Sequence, residues 1–143
     1  MARIAAFEKT EQKTMRWLKG IADALGSTDL ERSYMILRAV LHALRDRLTP
    51  DEAVQLGAQL PMLVRGFYYE GWHPADKPRR YRHKERFLEQ VSKEVPSLDY
   101  VQLERAIGAV FETLLSEIGG GEIDQVRSAL PAELREMWAL PGL

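Results

Sequence analysis

The sequence predicts an all-α protein in which two tandem four-helix repeats, related by a pseudo-two-fold axis, pack together as one compact helical domain. Three observations support this fold class. Apolar residues recur at spacings of three and four along most of the chain, and a shift of 70 positions aligns the chain with itself. No segment alternates apolar and polar residues with the period of two that is typical of strands.

The internal repeat aligns residues 12–68 with residues 82–138 without a gap, and 12 of the 57 pairs are identical. About one position in fifteen should match by chance, so roughly four identities are expected. Many other pairs conserve apolar character, because burial selects for apolarity and volume before identity. One such unit would bury only about 60% of its unfolded surface, so we expect the two copies to share a core. The identical pairs are Arg16/Arg86, Leu18/Leu88, Ser27/Ser97, Asp29/Asp99, Ala39/Ala109, Val40/Val110, Leu44/Leu114, Glu52/Glu122, Gln55/Gln125, Leu60/Leu130, Pro61/Pro131 and Arg65/Arg135.

The composition is that of a globular protein, with 45% hydrophobic and 29% charged residues and no cysteine among 143 residues. No apolar run approaches the roughly 20 residues that span a bilayer, and the N-terminus meets charge too early for a secretory signal. We therefore expect a cytoplasmic protein without a membrane partner. The absence of cysteine excludes disulfides, thiolate metal sites and a cysteine nucleophile. A net charge of −1 argues against a nucleic-acid partner, since such binders are usually strongly basic.

The first two helices are predicted from their apolar stripes and end signals. The first spans Thr10–Leu25 and ends at the break that Gly26 introduces. The second is expected over residues 29–48, opened by a capping box that Thr28 and Glu31 form. The helix is expected to be central in the fold, and its apolar residues follow heptad alternation: Leu30, Tyr34, Leu37, Leu41, Leu44 and Leu48.

Short third and fourth helices complete each repeat. The third opens at Thr49-Pro50-Asp51-Glu52, a capping box with proline at the first helical position. The matching corner, Gly119-Gly120-Gly121-Glu122, keeps the turn and loses the cap. A fourth helix starts at Leu60-Pro61 and again at Leu130-Pro131, because a proline at the same register marks a helix restart. The central helix of the second repeat is predicted over residues 99–118.

A segment that we call the strap, residues 70–82, separates repeat 1 (residues 1–69) from repeat 2 (residues 83–143). Its two prolines and Gly71 prevent a continuous helix. Its large aromatic residues favour packing, so we predict an ordered segment that lies over the helical body.

The strap is also the strongest candidate for a binding site. Residues 77–86 hold six Lys or Arg and one Glu, a local charge of +5 that leaves −6 for the rest of the chain. These cations could pair with the protein's own acidic helices, dock a partner protein, or hold a small anion or nucleic acid. The candidate ligand- or partner-binding residues are Arg65, Tyr68, Tyr69, Trp72, Lys77, Arg79, Arg80 and Arg82.

Arg65 and Arg135 occupy equivalent positions after the two Leu-Pro corners. Such a pair could bind anions symmetrically. The simpler hypothesis is that each arginine braces the carbonyls of its corner, or a carboxylate such as Glu52 or Glu122.

Catalytic motifs are missing from the sequence. No Gly-x-Ser-x-Gly turn, His-Glu-x-x-His pair or phosphate loop is present, and we expect the carboxylates on solvent-facing helix positions. His42 is interpreted as pairing with Asp46 on a helix surface. His73 and His83, with Asp76 between them, could form a weak metal site, but their spacing matches no common ligand pattern. We predict no enzyme, no catalytic residue, no metal and no cofactor.

Several short motifs occur together in this chain. They are Ala43-Leu44-Arg45-Asp46-Arg47-Leu48, Gly57-Ala58-Gln59-Leu60-Pro61, Val64-Arg65-Gly66-Phe67-Tyr68-Tyr69 and Trp72-x-Pro74-x-x-Lys77-Pro78, with Phe87-Leu88 and Leu130-Pro131 in the second repeat. In these motifs the chain resembles a bacterial family of small helical proteins, the domain of unknown function 2267. The resemblance covers roughly residues 11–138 and implies a soluble all-helical bacterial protein, with no activity, cofactor or catalytic residue to transfer.

These features favour a non-enzymatic protein-interaction or self-assembly module. Two-fold-related halves form self-complementary surfaces easily, so a homo-oligomer is expected. The alternative is a small-ligand or anion sensor, for a nucleotide or phosphate, that uses the basic and aromatic residues Arg65, Tyr68, Tyr69, Trp72, Arg79 and Arg82.

Overall fold

The computed structural model describes residues 2–138, which contain eight α-helices and no strand. The prediction of an all-α protein is therefore confirmed. None of the helices in this range is both long enough and apolar enough to cross a bilayer. The helices are α1 Ala5–Ala24, α2 Leu30–Arg47, α3 Pro50–Ala58, α4 Met62–Tyr69, α5 Lys84–Glu94, α6 Tyr100–Glu117, α7 Gly120–Ser128 and α8 Ala132–Arg135.

Helix bounds in the two halves follow the same shift as the sequence repeat. Helices α6 and α7 begin and end at the residues that align with the bounds of α2 and α3, and α8 begins at the residue that aligns with the start of α4. The ends of the chain differ. Helix α1 begins at Ala5, earlier than the predicted start at Thr10, and the predicted end of repeat 2 at residue 143 lies outside the described residues.

The helix starts show which side chains act as caps. Asp29 caps α2 by accepting the backbone N–H of Arg32, so the predicted capping box of Thr28 is wrong by one residue. Asp99, which aligns with Asp29 at the shift of 70 residues, caps α6 in the same way. A carboxylate at this position satisfies a free backbone donor and favours the positive end of the helix dipole.

The caps of the third helices agree with prediction. Thr49 and Glu52 form the predicted capping box at α3, with hydrogen bonds in both directions. The corresponding Gly119 gives α7 no side-chain cap. The corner before α3 therefore has a side-chain cap, and the equivalent corner before α7 has none.

The core forms around α2, which contacts α1, α4, α5 and α6. Leu44 of α2 and Leu114 of α6 are both fully buried. The last three turns of α2 are buried nearly all round, including positions at which the sequence has polar residues. A helix that is buried on every side needs hydrogen-bonding or ionic partners for those polar groups.

The packing partners exchange between the halves. Helix α1 packs on α6 and α5 packs on α2, while α1 packs on α2 and α5 packs on α6. Helices α2 and α6 also contact each other, as do α3 and α7. The contact of α1 with α6 therefore corresponds to that of α5 with α2, and the contact of α1 with α2 corresponds to that of α5 with α6.

Arginines brace the Leu-Pro corners, as the simpler hypothesis predicts. Arg65 donates from Nε to the Gly57 carbonyl at 3.0 Å and from Nη2 to the Leu60 carbonyl at 3.0 Å. Arg135 donates to the equivalent Leu130 carbonyl. These bonds tie each arginine to carbonyl oxygens at the preceding corner, and the Gly57 carbonyl also accepts the backbone N–H of Leu60.

Candidate binding site at the strap

The strap begins where α4 ends at Tyr69 and reaches α5 at Lys84. Gly71 has φ of +75°, a backbone conformation that glycine adopts without steric cost, and it turns the chain out of the helix. A single 3₁₀ turn, Pro74–Asp76, follows. The strap is therefore an irregular segment whose path is fixed by contacts outside itself.

Three consecutive residues at the end of α2 hold the strap backbone. Arg45 donates from Nη1 to the carbonyls of Tyr68 at 2.7 Å and Glu70 at 2.9 Å. The carbonyl of Asp46 accepts the backbone N–H of Arg79 at 2.8 Å. Arg47 donates from Nε to the carbonyl of Tyr81 at 3.2 Å. Both ends of the strap are thus bound to one turn of the central helix.

Arg45 and Asp46 form a buried ion pair beneath the strap. Arg45 Nε lies 2.9 Å from Asp46 Oδ1, and the two side chains are 5% and 8% exposed. Asp46 Oδ2 accepts a hydrogen bond from Gln90 of α5 at 2.8 Å. The expectation that the carboxylates face solvent is wrong for Asp46, because the strap and α5 cover the end of α2. Buried charges persist only where they are paired and hydrogen-bonded, as here.

The aromatic residues around the start of the strap face inward. Tyr68 is fully buried, and its hydroxyl donates to the Ala53 carbonyl at 2.6 Å. Burial raises the pKa of this hydroxyl, and the neighbouring Tyr69 raises it further. The Tyr69 ring lies 5.5 Å from that of Trp72, and it covers Gly57 so closely that a Cβ there would collide with its hydroxyl. These rings attach the strap to the body.

Tyr81 anchors the other end of the strap. The guanidinium of Arg47 lies 5.4 Å from the centre of its ring, a cation–π distance. Burial raises the pKa of Tyr81, and the charge of Arg47 opposes that effect. The Tyr81 hydroxyl and the Trp72 indole N–H are buried without a partner among residues 2–138.

The basic side chains of the strap point the other way. Arg79, Arg80 and Arg82 are exposed, and Lys77 is half-buried. Arg79 approaches a carboxylate only at 3.9 Å, from its Nε to Asp46 Oδ2. No ion pair within residues 2–138 involves Arg80 or Lys93 of α5. The strap therefore presents cations on a backbone that the helical body immobilises.

Arg79 and Arg80 line a groove of about 420 Å³ between the strap and α5, which we call the basic groove, whereas Lys77 and Arg82 lie outside it. It contains four cationic side chains and one carboxylate, Glu89, which lies 3.6 Å from Arg86. Sequence reasoning missed the contribution of α5, although the spacing of Arg86, Gln90 and Lys93 places them on one helix face. The lining residues are Arg79, Arg80, Tyr81, Arg86, Glu89, Gln90 and Lys93.

The predicted site residues do not converge on one cavity. Arg79 and Arg80 share the basic groove, but Arg65 lines a different groove beside α1, together with Lys9 and Lys13. Tyr68 belongs to the core, so it presents no surface to a ligand. Tyr69 and Trp72 are half-buried against each other.

His42 has a different environment from the predicted one. It is buried, with Nδ1 at 2.8 Å from Glu94 Oε2 and Nε2 at 2.6 Å from the Phe67 carbonyl. The predicted surface pairing with Asp46 is therefore wrong. A carbonyl oxygen can only accept, so Nε2 carries a proton, and the ring connects α2, α4 and α5. Arg38 also binds Glu94, at 2.9 Å.

The remaining histidines lie near the surface. His83 Nδ1 is 2.8 Å from Glu133 of α8, and His73 is exposed. The hydrogen bond from His83 lowers the pKa of the Glu133 carboxyl, and the backbone N–H of Lys84 acts in the same direction. Within residues 2–138, no three His, Asp or Glu side chains group as the ligands of a metal ion would.

Comparison with known proteins identifies a family. The family model described as "Uncharacterized conserved protein (DUF2267)" matches residues 14–137. The chain therefore belongs to the DUF2267 family, as its motifs predict. No curated protein matches the sequence.

Proposed function

We propose that this DUF2267 protein is a non-enzymatic protein-interaction module that binds an acidic segment of a partner at the basic groove. The observation that supports the proposal is the arrangement of the strap. Its backbone is bound to α2, Tyr81 packs on Arg47 of α2 and Trp72 packs on Tyr69 of α4, whereas the guanidinium groups of the strap face solvent. Arg80 of the strap and Lys93 of α5 line one groove, and neither forms an ion pair within residues 2–138.

Preorganisation gives such a surface its advantage. Ordering a loop on binding costs free energy, and the three α2 contacts have already ordered the strap backbone. Guanidinium groups form short, charge-assisted and often bidentate hydrogen bonds with carboxylates. The local charge of +5 within an otherwise acidic chain also accelerates encounter with an acidic partner and repels a basic one.

Binding of a fluorescently labelled glutamate-rich peptide, measured by anisotropy at several salt concentrations, tests the proposal. We expect the wild-type protein to bind and its affinity to fall with salt. The double substitution Arg80→Glu and Lys93→Glu should weaken binding at least about tenfold, which corresponds to roughly 1.4 kcal/mol.

The matched control is the double substitution Arg32→Glu and Arg105→Glu. Both arginines are exposed and lie outside the basic groove, so the net charge changes equally. This variant should bind almost as tightly as the wild type. Equal weakening in the two variants would mean that overall charge, and not the groove, determines binding.

The second candidate function is a small-anion sensor at the same groove. The volume of about 420 Å³ is within the range of small-molecule sites and would admit a phosphate-bearing metabolite. A thermal-shift titration with pyrophosphate and ATP distinguishes the candidates. Saturating ligand at about 100 times its Kd should stabilise the fold by roughly 2.7 kcal/mol. A sensor should respond to these ligands and ignore the peptide.

We also propose that the two halves are copies related by a pseudo-two-fold axis, with the strap at the seam between them and without a counterpart within either half. The common offset of the helix bounds and the exchanged helix contacts support this interpretation. An experimental structure tests it, since residues 30–58 should superpose on residues 100–128 by a two-fold rotation.

A bacterial origin and a cytoplasmic location complete the proposal. The family resemblance supports the first, and the lack of cysteine is compatible with a reducing compartment. Fractionation of cells that express the tagged full-length chain, followed by immunoblotting, tests the location.

A further inference from the structure

A second groove, of about 600 Å³, lies between α5 and the start of α6 and differs in character from the basic groove. Its floor is apolar and contains Leu88, Leu98 and Leu103, each nearly buried. Tyr100 forms part of its wall and is 49% exposed. We call it the apolar groove.

Two apolar residues of this lining are particular to the second half of the chain. In the alignment of the repeats, Leu98 corresponds to Thr28 and Leu103 corresponds to Ser33, whereas Leu88 corresponds to Leu18. Both leucines also belong to the core, and their outer edges form the floor of the groove. The groove is therefore more apolar than the equivalent surface of the first half.

The rim of the apolar groove carries both signs of charge. Glu85 and Glu89 lie on it together with Lys93, all from α5. A strongly acidic or basic partner would meet repulsion from one of these groups. A two-fold axis reverses the direction of α5 between two copies, so that Lys93 of each copy can face a glutamate of the other.

We propose that the apolar groove is the interface of a homodimer, in which Tyr100 of each copy inserts into the groove of the other. A half-exposed tyrosine at the edge of an apolar depression supplies large contact area at low conformational cost, which is typical of binding hot spots. Contact between copies would cover this apolar surface. Glu89 and Lys93 line both grooves, whereas Tyr100 lines only the apolar groove, so substitutions of Tyr100 test the dimer apart from acidic-peptide binding at the basic groove.

Sedimentation equilibrium of the full-length chain across micromolar concentrations tests the dimer. We expect the wild type to sediment at twice the mass of the 16.4 kDa chain. Tyr100→Glu should raise the dissociation constant at least tenfold. Val54→Glu is the matched control, since Val54 on α3 is also 49% exposed, and this variant should dimerise as the wild type does.

Two further variants separate the interface from general effects on folding. Glu85→Lys should weaken the dimer, and adding Lys93→Glu should restore most of the loss, because the exchanged charges remain complementary. Tyr100→Ser removes the tyrosine ring without adding a charge, so it provides a second variant that should weaken the dimer. Circular dichroism should show unchanged helix content for all of these variants.

A wild-type chain that remains monomeric throughout the concentration range would overturn the proposal. So would a dimer that Tyr100→Glu and Tyr100→Ser leave intact, since the interface would then lie on another face. Peptide binding by the Tyr100 variants should equal that of the wild type, so failure of the dimer and failure of the basic groove are separate results.

Discussion

Substitution of Arg45 by methionine removes the cation on which the strap, α2 and α5 converge. Methionine fills much of the same volume, so the change eliminates polar contacts with little new cavity. The buried carboxylate of Asp46 loses its closest cation at 2.9 Å, and the carbonyls of Tyr68 and Glu70 lose their donor. Asp46 keeps the hydrogen bond from Gln90, and Arg79 remains at 3.9 Å.

The expected cost follows from burial. Removing one partner of a buried ion pair typically destabilises a protein by about 3–5 kcal/mol, because the other charge stays buried without compensation. The Gln90 amide and the distant Arg79 offset part of this, and water can reach the carbonyl of the exposed Glu70. We therefore expect about 3 kcal/mol, a large fraction of the roughly 5–15 kcal/mol that stabilises a typical domain.

Urea denaturation followed by circular dichroism measures the loss of about 3 kcal/mol in the free energy of unfolding. In a separate thermal scan, the melting temperature should fall by about 6–12 °C, at roughly 2–4 °C per kcal/mol for a chain of this size. Arg105→Met is the control, because Arg105 lies exposed on α6, and it should change the free energy of unfolding by less than about 0.5 kcal/mol.

A double-mutant cycle makes the reasoning refutable. Arg45→Met combined with Asp46→Leu removes both charges, so the combined loss should be smaller than the sum of the single losses by at least about 1 kcal/mol. If Arg45→Met alone costs less than about 1 kcal/mol, or if the two losses simply add, the pair does not stabilise the strap in the manner argued.

Three other predictions concern the core, the repeat and one surface carboxyl. Tyr68→Phe should lower the free energy of unfolding by about 1–2 kcal/mol in urea titrations, since a buried carbonyl of α3 loses its donor, and a neutral result would contradict that hydrogen bond. Leu44→Ala and Leu114→Ala should each lower the free energy of unfolding by about 2–5 kcal/mol in the same assay, because both side chains are fully buried. A much smaller loss for Leu114→Ala would contradict the equivalence of the two positions. In an NMR titration the pKa of Glu133 should lie below that of an ordinary glutamate. The hydrogen bond from His83 should stabilise the fold at pH values above the ordinary glutamate pKa, and this stabilisation should be lost as the pH falls through the lowered pKa. An ordinary titration curve for Glu133, or one that His83→Ala leaves unshifted, would contradict this contact.

The helices and their corners were predictable because their causes are local. Apolar spacing, the proline after Leu60 and the Thr49–Glu52 box each act within a few residues, and the described helices follow them closely. The misplaced cap of α2 shows the limit of such signals. Thr28 and Asp29 both suit an N-cap, and only the backbone conformation decides between neighbours.

The anchoring of the strap could not be read from helix periodicity. Arg45, Asp46 and Arg47 resemble an ordinary charged end of an amphipathic helix, and His42 resembles its polar flank. One clue was present in the repeat itself, since residues 45–47 correspond to Leu-Ser-Glu at 115–117. The charged triplet occurs once because the strap that it holds occurs once.

The sequence by itself determined the all-helical class, most helix bounds and the family. Backbone propensity and the spacing of apolar stripes depend on residues that are close together in the chain, so both can be read from the order of the residues. Only the tertiary structure decided which polar residues are buried and which cations remain free. Those outcomes depend on groups that are distant in the chain, as when Gln90 meets Asp46 or Glu94 meets His42. The electrostatic free energy of a charge depends on its surroundings in space, and residue order alone does not specify those surroundings.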